Sequence, residues 1–391
     1  MKKGKAGSFS LKGGIIGWVL VTLLVVGFLS FTRTPCVAQE KFKVGTSQDL
    51  SGIYAGVYGK VVEGAELGFK EINATGGIKG REIEFVCYDD GYEVSRSLRN
   101  VDKLVLQDKV DLLFATAGTP PNASIKPRLS ILKKPLFFPG SGAIFLYSGD
   151  QRYLFTFLPA YRDESRTIIR LMGKDGYKRI GIVHLTNVYG WDCKIAAKKE
   201  ALALGLQVST FPLEKEEGIP SAVEGLMAKK VEALYLVIPY KFVGPFLEVM
   251  DARGYHPALY AEYYCRLPDA FQALGARGDV FKKVVVGRFF PMLNENYPCV
   301  TWYKEALQKY APDKSPDPAA FTGYLMARTL GEILRRVHSM DSWGIVKGAE
   351  SIKDLDVGLP EKISYSPTDH VGLTKVFLYR YANGALTLVE K

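Results

Sequence analysis

Residues 41–90 read KFKVGTSQDLSGIYAGVYGKVVEGAELGFKEINATGGIKGREIEFVCYDD. A β-branched start through Val44 and Thr46 gives way to a polar, glycine-rich loop. An apolar periodicity follows, with Val62, Ala65, Leu67, Gly68, Phe69 and Ile72 roughly on one helical face. Gly76-Gly77 is a turn, and a second strand spans Glu82 to Tyr88. Strand, loop, helix, strand is the unit of a parallel sheet. In such sheets the loops leaving the carboxyl ends of strands hold ligands, so Ser47 to Gly59 is the first candidate binding loop.

The pattern repeats outward from there. Glu93 to Gln107 predicts a helix, Val110 to Ala115 a strand, Ala123 to Leu132 a helix and Pro135 to Phe138 a strand. Tyr153 to Leu158 is an extended segment that leaves this lobe. A second set begins near Tyr161, with a helix over Glu164 to Met172. Strands over Arg179 to His184, Leu206 to Phe211, Ala233 to Ile238 and Leu259 to Tyr264 alternate with helices at Cys193 to Leu204, Ile219 to Lys229 and Phe242 to Ala252. Leu185 to Asp192 is read as a loop, and Phe281 to Phe289 holds one more strand. Then the pattern changes. Val300 to Tyr310 and Thr322 to Val337 are amphipathic helices around a proline-rich loop, and Ile345 to Leu355 is another helix. Val376 to Val389 is a hairpin turning at Asn383-Gly384.

The run DLSG-x-YA-x-x-YG (Asp49 to Gly59), with GAELGFKEINATGGIKGREIEF and the later YDD, resembles the type I periplasmic solute-binding proteins of branched-chain amino acid ABC importers. The resemblance spans roughly Phe42 to Leu373. It implies an α/β fold of two Rossmann-like lobes with a ligand cleft between them and three interlobe crossings. On that pattern residues 41–160 plus 289–370 make lobe 1, and residues 161–288 plus 371–391 make lobe 2. It also implies an inner-membrane ABC permease as partner.

Composition bounds the alternatives. The chain has 391 residues, 47% of them apolar, enough for two real cores. Lys2, Lys3, Lys5 and Lys12 precede an uncharged apolar run from Ile15 to Leu29, and Cys36-Val37-Ala38-Gln39 offers small residues where a signal peptidase reads. Residues 1–38 are therefore read as a signal peptide, which implies a periplasmic location. An uncleaved membrane anchor on a ligand sensor is the alternative. No second long apolar run follows, so the mature body is not expected to be membrane-embedded. The remainder holds 46 basic and 41 acidic residues, spread along the sequence, which does not argue for nucleic acid. Cys87, Cys193, Cys265 and Cys299 remain, and a Cys265–Cys299 disulfide is left open. No cysteine or histidine falls at metal-site spacing, and no cofactor fingerprint occurs. Asp89-Asp90 fit a turn better than a catalytic pair. No nucleophile constellation emerges, so a small-molecule binder is expected rather than an enzyme.

The expected ligand residues sit in strand-end loops. A zwitterion leaves water only if both charges find partners. Thr119 opens a helix after Ala117 and Gly118, and Gly140, Ser141 and Gly142 follow the next strand. The resemblance implies that Thr119 gives a hydroxyl to a ligand carboxylate. It also implies backbone contacts from Gly140 to Gly142, a cleft wall at Tyr58 and a closing tyrosine at Tyr189. Tyr240, Glu262 and Tyr263 align with second-lobe cleft positions. Two departures stand out. Gly142 lacks the hydroxyl that amino acid binders usually carry there, and Tyr263 falls where they place an acid, with Glu262 one residue away and turned to the other face of a strand. The site therefore reads as tyrosine-rich and poor in negative charge. That opens the ligand to a small aromatic or aliphatic carboxylate or amide beside a branched-chain or other small amino acid, with Arg162 available to an anion.

Overall fold

The computed structural model describes residues 1, 3–8, 40–266, 280, 281, 283–382 and 385–390. The proposed signal segment therefore lies almost wholly outside the described residues, as does the Asn383-Gly384 turn. From Lys41 onward the chain forms two α/β lobes.

The first lobe is built on a five-stranded parallel sheet. β1 (Phe42–Gln48) lies beside β2 (Ile83–Asp89), in register from Phe42 opposite Ile83 to Gln48 opposite Asp89. β3 (Leu112–Phe114), β4 (Leu136–Phe137) and β5 (Leu154–Phe155) extend it in the order β2-β1-β3-β4-β5. Helices α1 (Ala55–Ala74), α2 (Val94–Asp102) and α3 (Thr119–Leu132) connect them. The predicted helix to Gln107 is α-helical only to Asp102 and finishes as a π-helical turn. β1 is buried along nearly its whole length, as a parallel strand covered on both faces must be. Gly45 lies under that π turn, where a Cβ would come within 2.9 Å of Val110.

The second lobe holds α4 (Tyr161–Lys174), β6 (Arg179–Leu185), α5 (Val188–Ala203), β7 (Gln207–Leu213), α6 (Ile219–Ala228), β8 (Ala233–Val237), α7 (Tyr240–Ala252), β9 (Ala258–Ala261) and β10 (Val284–Arg288). The final strands β11 (Phe377–Ala382) and β12 (Ala385–Glu390) are antiparallel and close one edge of its sheet, in the order β12-β11-β10-β9-β8-β6-β7. α5 starts three residues after β6, so most of the segment read as a loop is helix. Asn187 explains the early start, because its side chain accepts the Gly190 N–H and caps the first turn.

Between β10 and β11 the chain returns to the first lobe as α8 (Pro298–Tyr310), α9 (Pro318–Arg336) and α10 (Ser342–Glu350). α9 lies against α1 at backbone distance. A Cβ on Gly64 would stand 1.8 Å from the Ala320 carbonyl, and one on Gly323 1.9 Å from the Val61 carbonyl. The three interlobe crossings run side by side. Thr156 N–H donates to the His370 carbonyl at 3.0 Å, Leu373 N–H to the Phe157 carbonyl at 3.0 Å, and the Phe157 and Phe290 rings stack at 5.8 Å.

The cysteine question closes against a bridge. Cys87, Cys193, Cys265 and Cys299 are all free. The Cys265 thiol lies in the second-lobe core and donates to the Leu236 and Ile238 carbonyls, both at 3.2 Å, whereas Cys299 is buried at the start of α8. Burial pushes the Cys299 thiol up to about 12, so both behave as small buried hydrophobes.

Candidate functional site

The carboxyl ends of the two sheets face each other across a very small cavity of about 10 Å³. Its lining comes from both lobes: Gly118, Thr119, Tyr54, Tyr58 and Tyr92 on one side, Tyr161, Tyr189 and Tyr264 on the other.

On the first lobe, Gly118 precedes α3 at φ 76°, a left-handed conformation, and a Cβ there would lie 2.3 Å from the Tyr92 ring. This turn presents Thr119 at the head of the helix. Its hydroxyl is 2.8 Å from that of Ser141, which also accepts the Ala143 N–H at 3.2 Å. Ala117 and Gly140 are bridged as neighbouring extended residues. Tyr58 is not in a loop, as the glycine flanks suggested, but in the first turn of α1. From there its hydroxyl donates to the Gly140 carbonyl at 2.8 Å and accepts the Gly118 N–H at 3.0 Å. Behind them, a Cβ on Gly142 would meet the Pro159 carbonyl at 2.6 Å and the Tyr161 ring at 2.7 Å. The hydroxyl-bearing side chain missing from Gly142 is therefore replaced, in space, by the Tyr161 ring.

On the second lobe, the cap of α5 aims Tyr189 inward, and its hydroxyl donates to the Glu262 carboxylate. Tyr161 meets Tyr189 and Tyr264 edge to face at 5.3 and 6.0 Å. Burial raises the hydroxyls of Tyr54, Tyr58, Tyr161, Tyr189 and Tyr264 well above their ordinary value, so all stay neutral.

Two buried acids stand behind these tyrosines. Glu262 is 1% exposed and Glu164 fully buried. The strand-face argument against Glu262 fails because β9 ends at Ala261. Glu262 instead caps a 3₁₀ turn, accepting the Tyr264 N–H at 3.0 Å. Glu164, from α4, accepts the Tyr263 N–H at 2.9 Å, and its second oxygen has no partner. Burial first, and then the neighbouring Glu262, push Glu164 far toward its neutral form; burial does the same to Glu262. Tyr263 itself points elsewhere, its hydroxyl 3.0 Å from that of Thr322 on α9 and its ring stacked on Phe289 at 4.7 Å. Tyr240 reaches across to α1, where a Cβ on Gly56 would be 2.6 Å from its hydroxyl, and it lies outside the small cavity's lining. Arg162 does not await an anion: its Nε donates to Asp192 at 2.6 Å, and the same carboxylate accepts the Ile144 N–H.

Sequence reasoning missed Tyr54, Tyr92, Tyr161, Tyr264 and Glu164. Tyr54 stood within the quoted motif and Tyr264 beside Tyr263. Glu164 sits where the face of α4 turns inward, and its acidic identity argued for the surface. Asp89 and Asp90 shape the turn after β2, accepting the Gly91 and Tyr92 N–H groups at 2.9 Å. Among the described residues no group of three or more His, Cys, Asp or Glu is placed to hold a metal ion.

Two lobes joined by three crossings around a cleft at the strand ends define a class of binding protein, and comparison with known families agrees. Residues 41–385 match the periplasmic binding protein family, and the chain belongs to it. It is similar to an amino acid binding protein of Pseudomonas aeruginosa, 22% identical over 54% of this chain and 57% of that protein. It is similar also to the Leu/Ile/Val-binding protein of Escherichia coli K12, 25% identical over 60% of each chain. The chain thus spans less than two thirds of both relatives. Among solved structures, a possible leucine/isoleucine/valine-binding protein from Rhodopirellula baltica superposes with a TM-score of 0.82 at 20% identity, covering 91% of this chain and 98% of that one. A fatty acid ABC transporter substrate-binding protein from Thermomonospora curvata gives 0.78 at 20% identity, covering 91% and 93%. These likenesses establish the fold. Among the described residues no helix is long and apolar enough to cross a membrane.

Proposed function

We propose that the protein is the solute-capturing component of an ABC importer. It takes up a small amino acid or carboxylate in the periplasm and presents it to an inner-membrane permease, without chemistry of its own. The observation that carries this reading is the cleft between the lobes, whose adjoining cavities are each lined from both sides. A ligand there touches both walls only when they are together, so binding shifts the population toward the closed form. The names of the relatives, which include both amino acid and fatty acid binders, support solute capture.

Within that reading, a carboxylate or amide is favoured over an amino acid. The Gly140 carbonyl, an acceptor for an ammonium, already accepts from the Tyr58 hydroxyl. Titration calorimetry against amino acids, small carboxylates and their amides tests both statements. Expected is binding at about 1 μM or tighter, roughly −8 kcal/mol. Silence across every class sinks solute capture, and tight binding confined to amino acids sinks the preference. N-terminal sequencing of exported protein, expected to begin at Gln39, separates the importer component from an anchored sensor.

A further inference from the structure

A second, larger cavity adjoins the tyrosine-lined one and shares Tyr264 with it. It encloses about 90 Å³, against about 10 Å³ in the smaller one. It too is walled from both lobes: Val57, Pro318 and Ala319 from the first, Tyr263, Met292 and Arg288 from the second. Its surface is mostly apolar, but two guanidinium groups border it. Arg266 lies 3.9 Å from Asp317, the cap of α9. Arg288, at the end of β10, makes one long contact, Nε to the Phe290 carbonyl at 3.4 Å, and its guanidinium lies 5.9 Å from the centre of the Tyr263 ring. No described carboxylate forms an ion pair with it.

We propose that this cavity is the ligand chamber and that it takes a monocarboxylate with an apolar body, the carboxylate on Arg288 and the body against Val57, Met292 and Ala319. This rests on the solute-capture reading and adds to it a site and a ligand class. A guanidinium bordering an apolar-walled space, with no described carboxylate paired to it, can take an anion, and its fork matches a carboxylate. Glu262 also lines the chamber, but its carboxyl is held by the Tyr189 hydroxyl and the Tyr264 N–H. Burial drives it toward the neutral form, so it repels an anion less than an exposed carboxylate would. The α-ammonium of an amino acid has no role in this arrangement.

The test uses three probes of one skeleton: 4-methylpentanoate, 4-methylpentanamide and leucine, titrated by calorimetry. The acid should bind at least about tenfold more tightly than the amide, since a charge-assisted pair is lost. Arg288→Gln should erase that preference, and Val57→Trp, which fills the chamber from the opposite wall without touching its charge, should weaken acid and amide alike. Thermal melts of each variant separate lost binding from lost folding. The inference is overturned if acid and amide bind equally, if Arg288→Gln keeps the preference, or if leucine binds tenfold more tightly than its deaminated analogue. That last result would leave solute capture standing and move the ligand back to Thr119 and Ser141.

Discussion

The two adjoining cavities are built on opposite plans. In the smaller, every wall is a tyrosine or a helix-start residue, and several of its polar groups are paired within the protein. In the larger, the walls are mostly aliphatic, and the charge at Arg288 has no ion-pair partner among the described residues. Satisfied groups specify a shape, whereas an unanswered charge specifies a visitor. On the proposed assignment, the strand-end position serves architecture and selectivity lies in the neighbouring cavity.

Three experiments test that contrast. The largest effect is expected from Gly142→Ser. Its new side chain would drive into the Pro159 carbonyl and the Tyr161 ring, so it should destabilise the protein by about 3 kcal/mol in chemical denaturation. Wild-type stability would mean the Tyr161 ring yields and the small cavity has room after all. Next, Tyr58→Phe strips the bridge between the Gly118 N–H and the Gly140 carbonyl, leaving two buried backbone groups unpaired at a cost of about 2 kcal/mol. No loss would mean water or a ligand reaches those groups, and the smaller cavity would then be the receptive one.

The third concerns Glu164. Its carboxyl is raised in the folded protein above the ordinary 4.5, so between those two values the native state holds a proton that the unfolded chain has lost. Stability is full below the ordinary value and falls as pH rises, by about 1.4 kcal/mol per pH unit for this group. Glu164→Gln keeps the acceptor for the Tyr263 N–H and removes the titration, so its denaturation curves should lose that share of the slope as pH rises above the ordinary value. Slopes parallel to wild type would mean the buried acid is charged, and the contrast between a settled and an unsettled cavity would fail.

The fold was legible because apolar periodicity and strand-end loops are local signals. Thr46, Gly76-Gly77 and the βα repeats gave the parallel sheets, with boundaries off by a few residues where caps such as Asn187 extended a helix. The return of α8 to α10 to the first lobe was readable only through family resemblance, since periodicity says nothing about which sheet a helix covers. At the site, Thr119, Ser141, Tyr58 and Tyr189 do converge, because each follows a strand. Glu262 was misread because strand alternation was carried one residue past the strand's end. Arg288 was invisible: its significance lies in having no ion-pair partner among the described residues, a property of three dimensions.

The glycine contacts between α1 and α9 carry one more implication. With Gly64 and Gly323 seated against opposing backbones, neither helix can slide along or roll over the other without steric collision. The wall bearing Val57 and Tyr58 is thus rigid stock, keyed into a helix that begins with Pro318 and Ala319 on the rim of the larger cavity. A solute of the wrong girth cannot be accommodated by yielding there, so tolerance for different ligands must come from the facing side chains and the loops that carry them.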